Sequence, residues 1–368
     1  MTMRILMTAD AVGGVWQYAT DLAASLVPHG IETVLATLGP PATAAQRGEA
    51  AAVPGLTLVE TGLPLDWLCD EPGPVQAAGE AIRALAEREG VGLVHLNQPC
   101  LAAETSYPVP VVAVIHGCVA TWWDAAHGTQ PDRAFAWQAR LVRAGLMRAD
   151  AVVAPSASYA AIVARCHRLP TPPLTVHNGR AALPVPAGLA QADHVLTAGR
   201  LWDQVKRVRL LDEAAGRIAW PMLAAGPLVA PHGETIELRH ARSLGTLSTP
   251  DLAAQLARRP IFVSSASFEP FGLSVLEAAA AGCALVLSGI DTFRELWTGA
   301  ALFVDPDDAD GFAAAIGRVI ADQALRQHMG EAARIRAARY TPDAMAGAMA
   351  SIYAGLLGAA KPSTKVAA

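Results

Sequence analysis

Glu269 and Glu277 are the residues whose type and spacing most invite chemistry. They sit eight positions apart in SFEPFGLSVLEAAAAG (267–282), in a chain with only 17% charged residues. Eight positions is more than two helical turns, and Pro270 prevents a single helix from running through both. Glu269 is therefore expected on a loop, and Glu277 inside a helix that starts near Gly272. A helix start presents free amides and a partial positive charge, suited to a phosphate or a polarised hydroxyl. Glycine lets a ligand approach that backbone closely. Glu277 can accept two hydrogen bonds from a diol such as a ribose, and Glu269 would reach the group beyond the phosphate. A sugar, a phosphate and a ribose in a row suit this geometry. A solvated loop glutamate and a helix-face glutamate suit the spacing equally well.

The elements that must hold these residues alternate along the chain. RILMTA (4–9) reads as a strand, and a glycine turn leads from it into an amphipathic helix over GGVWQYATDLAASL. ETVLATL, LTLVE, GLVHLN, VPVVAVIHG and AVVAPS read as further strands; QAAGEAIRALAEREG and DRAFAWQARLVRAGLMRAD read as helices. After a stretch rich in Pro, Gly and Ala (170–192), the alternation resumes. HVLTAGRL, PMLAAGP, PIFVSS, CALVLSG and ALFVDP are strand-like; VRLLDEAAGRIA, TPDLAAQLARR and the 309–339 region are helical. This pattern indicates parallel, doubly wound sheets. The expected division is 1–180, 190–340, a last helix over 341–358 and a disordered tail over 359–368. In an open parallel sheet, ligands lie beyond the carboxyl ends of the strands. There TAGRLWDQVKR (197–207) brings Arg200, Lys206 and Arg207, cations that suit an anionic, phosphorylated ligand.

Composition narrows the partners. A net charge of −5 over 368 residues gives no general attraction for nucleic acid. Five scattered cysteines (Cys69, Cys100, Cys118, Cys166, Cys283) form no C-x-x-C and read as core residues of a reducing compartment. The opening apolar run is too short for a secretory segment, and the uncharged stretch 278–290 is interrupted by glycine and serine. A cytoplasmic protein is expected. Arg133, Arg140, Arg143 and Arg148 would suit peripheral contact with a membrane surface, or equally a solvated helix face.

E-P-F-G-L-S-V-L-E-A-x-A-x-G resembles the E-x7-E signature of the family-4 retaining glycosyltransferases, whose GT-B fold joins two tandem Rossmann-like domains across a cleft with a C-terminal crossover helix. The resemblance runs in consistent order over roughly 4–355. It implies that Glu269 contacts the donor sugar and Glu277 the nucleotide ribose, with the backbone of Phe271, Gly272 and Leu273 at the diphosphate and sugar. Gly199-Arg200-Leu201 and Lys206 resemble the family's G-R-L…K-G pattern. The insert here is one residue longer than expected, and Arg207 replaces the glycine, so either Lys206 or Arg207 can be the diphosphate cation. Gly13 and Gly14 resemble the donor-facing first loop. They do not form G-x-G-x-x-G, which argues against a dinucleotide oxidoreductase. His116 stands where the family has a strand-end histidine near the anomeric carbon, and backbone near Thr246 and Leu247 would meet the base. Trp122 and Trp123 either stack on an acceptor sugar or pack, with packing favoured for one of them. The family's aspartate after Asn178-Gly179 is absent, Arg180-Ala181 standing in its place.

The implied activity is metal-independent, retaining transfer of a hexose from a nucleotide diphosphate sugar, with UDP-glucose as the default donor and a glycan, lipid or small-molecule hydroxyl as acceptor. Glu269, His116, Lys206 and Arg200 are the expected catalytic group. No cofactor and no metal ligand are expected, and no oligomeric state is implied. A nucleotide-sugar epimerase, or a catalytically silent nucleotide-sugar-binding subunit on the same fold, is the alternative.

Overall fold

Short apolar strands buried on both faces form the centre of two parallel sheets. The structure, a computed structural model, describes residues 3–181, 189–231 and 233–359. The first sheet belongs to the run β1 (Met3–Asp10), α1 (Gly14–Leu26), β2 (Ile31–Leu38), α2 (Ala44–Ala51), β3 (Leu56–Glu60), α3 (Gly73–Arg88), β4 (Leu93–Leu96), β5 (Val111–Val114), α4 (Val119–His127), α5 (Ala136–Arg148), β6 (Ala151–Ala154), α6 (Ala157–His167) and β7 (Leu174–Thr175). Its order is β3-β2-β1-β4-β5-β6-β7, with every pairing parallel.

The second sheet arises from β8 (Val195–Ala198), α7 (Val208–Ala215), β9 (Met222–Ala225), β10 (Arg242–Gly245), α8 (Thr249–Ala257), β11 (Ile261–Ser264), α9 (Leu273–Ala280), β12 (Ala284–Ser288), α10 (Asp291–Trp297), β13 (Ala301–Val304), α11 (Ala309–Ala321) and α12 (Gln323–Ala337). Its order is β10-β9-β8-β11-β12-β13, again parallel throughout. Successive side chains of a strand point to opposite faces. Leu196, Phe262, Leu285 and Leu287 accordingly join one apolar layer with α9, α10 and α12. Val195, Ile261, Val263, Ala284 and Val286 join the other, with α7 and α11. Strands buried this way read as continuous hydrophobic runs, which is why they are visible in the sequence.

Residues up to Thr121, Thr129–Gly179 and the chain from Pro342 on form one compact unit; Trp122–Gly128 and Arg180–Thr341 form the other. The segment Trp122–Gly128, sequence-wise inside the first domain, thus groups with the second. Helix α13 (Pro342–Ala359) starts on a proline, which suits a first helical position. It places Met345, Ala346, Met349 and Tyr353 in the core that β1 and α1 share. The i, i+4, i+8 spacing of Met345, Met349 and Tyr353 makes that face. The linker reading falls partly, and the tail reading almost wholly, outside the described residues. Helices α2, α4, α6 and α10 and strands β7 and β10 are not evident from periodicity; α10, with seven residues, and β7, with two, are too short for a repeat to register.

One close approach constrains the first unit. A Cβ on Gly145 of α5 would overlap the carbonyl oxygen of Pro99, in the one-turn helix Pro99–Ala102. Gly145→Ala is expected to destabilise the protein by about 2–3 kcal/mol, measured by urea denaturation. Unchanged stability would mean that α5 has room to move off Pro99.

Candidate active site

The order of the second sheet reverses between β8 and β11, so the loops leaving these two strands lie side by side at the carboxyl edge. Serines stitch them together. Ser265 Oγ donates to the carbonyls of Lys206 (2.9 Å) and Arg207 (3.1 Å), and Ser267 N donates to Val205 O at 2.8 Å. Lys206, ending a one-turn helix over Gln204–Lys206, is thereby held opposite Glu269. Its Nζ lies 2.6 Å from Glu269 Oε2, with both side chains about four-fifths covered. Lys206 and Glu269, 63 positions apart, form one cation–carboxylate pair.

Helix α9 begins at Gly272, whose φ of 90° is left-handed and favours glycine. A Cβ there would also press on Phe293, Glu269 and Val275 at 3.2–3.4 Å. No side chain caps this helix start, so its first amides are available to an anion. Leu273 is half-buried at the first turn. The Phe271 ring does not face a ligand: it is buried in the core, edge-on to Tyr340 at 5.7 Å, which leaves only its backbone for that purpose. Glu277 is buried on α9. Its Oε1 accepts from Arg180 Nε at 2.7 Å, with side-chain exposures of 10% and 12%. Sequence reasoning treated Arg180 only as a departure from a pattern; its partner shows once the fold brings it to Glu277.

Lys206 and Arg207 turn to different partners. Arg207 pairs with Asp307 and lines a hollow of about 590 Å³ with Trp202, Ile236 and Glu213, a hollow that Lys206 does not line. Arg207 has φ 52°, the left-handed region, at the position where the resemblance expects glycine. Arg200 is half-exposed and bonds Asp203 Oδ2 at 2.8 Å. Asp203, buried and absent from the candidates drawn from the sequence, also accepts from Val205 N at 3.3 Å and Trp122 Nε1 at 3.0 Å. It holds Arg200, the Lys206 turn and the Trp122 segment together. Trp122 is thus tied by its indole, beside Trp123 at 6.3 Å. Thr246 is exposed and Leu247 half-buried on the loop after β10.

In the first unit, β1 leads to Gly13, the N-cap of α1, and Gly14, its first residue. Asp10 Oδ1 already accepts from Val12 N (2.9 Å) and Gly13 N (3.1 Å), so this turn carries a carboxylate at its amides. His116 lies two residues beyond β5 instead of at its end. Asn97 Nδ2 donates to Thr8 O at 2.6 Å, which turns Oδ1 toward two imidazoles. His116 Nε2–H (2.8 Å) and His95 Nε2–H (3.1 Å) both donate to it, and Tyr353 O–H donates to His95 Nδ1 at 2.6 Å. Burial, then the neighbouring His95, lowers the pKa of His116 to about 3; burial lowers that of His95 to about 4. Burial thus favours the neutral imidazole at His116, with its Nε2–H turned to Asn97.

Of the basic series near α5, Arg143 Nε donates to His167 O and Arg148 Nη2 to Ser106 Oγ, both at 2.8 Å. No helix among the described residues is long and apolar enough to cross a membrane. Also among the described residues, no three His, Cys, Asp or Glu side chains are grouped to hold a metal ion.

The pattern of the family described as Glycosyltransferase Family 4 matches residues 12–180, and that of Glycosyl transferases group 1 matches 235–336. A glycogen synthase of Mycobacterium tuberculosis is 42% identical over 101 residues, 27% of this chain and 24% of that protein. A phosphatidyl-myo-inositol mannosyltransferase of Mycolicibacterium smegmatis is 29% identical over 176 residues, 45% of this chain and 46% of that one. The chain thus matches less than half the length of these curated relatives. Among solved structures, sucrose-phosphate synthase from Thermosynechococcus elongatus superposes with a TM-score of 0.80 at 20% identity, covering 97% of this chain and 100% of that one. HepE of Anabaena, solved with UDP-glucose, gives 0.74 at 17%, covering 96% and 100%. These likenesses establish the GT-B fold.

Two outcomes follow from this geometry. Asp203→Ala should destabilise the protein by about 2–3 kcal/mol, because it strips three donors of a buried carboxylate; urea denaturation measures it, and a wild-type midpoint would remove Asp203 from its organising role. The second concerns acid. Burial lowers His167, like His95, to about 4 from an ordinary 6.5. Below pH 6.5 the unfolded chain takes up protons that the folded one refuses, so stability is lost as pH falls from about 6.5 to about 4. Each such group accounts for about 3 kcal/mol across that window. His95→Gln should flatten the fall in unfolding free energy between pH 7 and 4.5, and an identical pH dependence in that variant would contradict the assignment.

Proposed function

The chain belongs to the family 4, group 1 glycosyltransferases of the GT-B fold, and from that premise we propose that it moves a hexose from a nucleotide diphosphate sugar to an acceptor hydroxyl, with retention and without a metal. The observation that carries the proposal is the uncapped start of α9 at Gly272, flanked by the Lys206–Glu269 and Arg180–Glu277 pairs. A nucleotide sugar presents a sugar hydroxyl, a diphosphate and a ribose diol in that order. Glu269 would accept from the sugar hydroxyl, the Gly272–Leu273 amides and Lys206 would meet the diphosphate, and Glu277 would accept from the ribose.

In the transfer, the bond between the anomeric carbon and the diphosphate oxygen breaks while the acceptor oxygen bonds the same face. The acceptor proton passes to the departing phosphate. Lys206 and Arg200 offset the charge that develops on the diphosphate. Glu269 orients hydroxyls and does not attack. His116 serves as a neutral polar group, its Nε2–H committed to Asn97. UDP-glucose is the first donor to try, because HepE was solved with it. A hydroxyl of a glycan, a lipid-linked sugar or a small molecule is the acceptor, and the nucleotide sugar is a substrate, with no cofactor.

Release of nucleoside diphosphate from UDP-, GDP- and ADP-sugars, with and without acceptor, tests this proposal. Lys206→Ala should lower turnover by about 100-fold, and Glu277→Ala should weaken donor binding by about tenfold or more. A chelator should leave the rate unchanged. Wild-type rates in either variant, or loss of activity to the chelator, would refute the assignment. An isomerised nucleotide sugar without transfer would mark an epimerase, and binding without turnover a silent subunit.

A further inference from the structure

We propose that Arg180 is the positioning residue that fixes Glu277 for reading the nucleotide ribose, an inference that rests on Glu277 being the ribose ligand. The two residues are 97 positions apart, yet Arg180 Nε meets Glu277 Oε1 at 2.7 Å with both side chains nearly covered. The base of Arg180 is itself anchored: its backbone N–H donates to Tyr340 O at 3.2 Å. Tyr340 in turn packs edge-on against Phe271, the neighbour of Gly272, at 5.7 Å. The guanidinium therefore grows from backbone tied to the same aromatic residue that braces the α9 start.

This arrangement selects one rotamer of Glu277. An ionised carboxylate has about four acceptor positions, so the Arg180 bond takes one of them and removes torsional freedom that binding would otherwise have to freeze. A lysine would supply the charge without the directed Nε–H.

Calorimetric titration of the full-length chain tests the assignment, with whichever of UDP, GDP and ADP binds most tightly and with its 2′-deoxy counterpart. The wild-type protein should prefer the ribonucleotide by about tenfold or more, as expected for a hydrogen bond to a charged group. In Arg180→Met and in Glu277→Ala that preference should fall to about one, and in Arg180→Lys it should fall at least threefold. Where Arg180→Met does not fold, Arg180→Lys decides. An unchanged preference in Arg180→Lys, with Glu277→Ala still losing it, means that Arg180 supplies charge alone and overturns the inference while Glu277 remains the ribose ligand. Failure to bind any of the three nucleotides, no preference in the wild-type protein, or an unchanged one in Glu277→Ala, removes Glu277 as ribose ligand and the inference with it.

Discussion

Two carboxylates set beside one uncapped helix start impose the main constraint on the second unit. A covered charge without a partner is costly, and losing one member of such a pair costs more than the pair contributes. Each carboxylate here meets a cation from a distant segment: Glu269 takes Lys206 from the loop after β8, and Glu277 takes Arg180 from the chain preceding that strand. The Lys206–Glu269 pairing needs β8 and β11 as neighbours, which the sheet order provides. The apolar layers on either face, the left-handed Gly272 and the serine stitches serve the same end.

The first unit handles polarity differently. Its buried chain from Tyr353 through His95 and Asn97 to His116 is neutral, and every hydrogen in it is assigned once Asn97 commits its amide to Thr8. Tyr353 comes from α13, more than 250 positions beyond His95, so the C-terminal helix contributes a polar anchor as well as apolar packing. Charged pairs in one unit and a neutral relay in the other are two ways of satisfying buried polar groups.

The sequence revealed most where a pattern is local. Strands such as Ile261–Ser264 and Ala284–Ser288 are continuous apolar runs, and the turn before α9 is written as Pro270-Phe271-Gly272. The carboxylates of that turn were legible for the same reason. What escaped depends on contacts across long separations. Asp203 lies within the quoted TAGRLWDQVKR, but only the fold shows it binding Arg200, Val205 and Trp122 at once. Arg180 looked like a departure from a pattern, because sequence spacing does not say which way a side chain turns. Helix α10, seven residues long, is too short for a helical period to emerge.

The central claim is that the diphosphate of the donor rests on the start of α9. An experimental structure of the chain with UDP bound tests it most directly. The account predicts the β-phosphate within hydrogen-bonding distance of the Gly272 and Leu273 amides and of Lys206, with the ribose on Glu277. A phosphate seated elsewhere, with Lys206 still closed on Glu269, would contradict it.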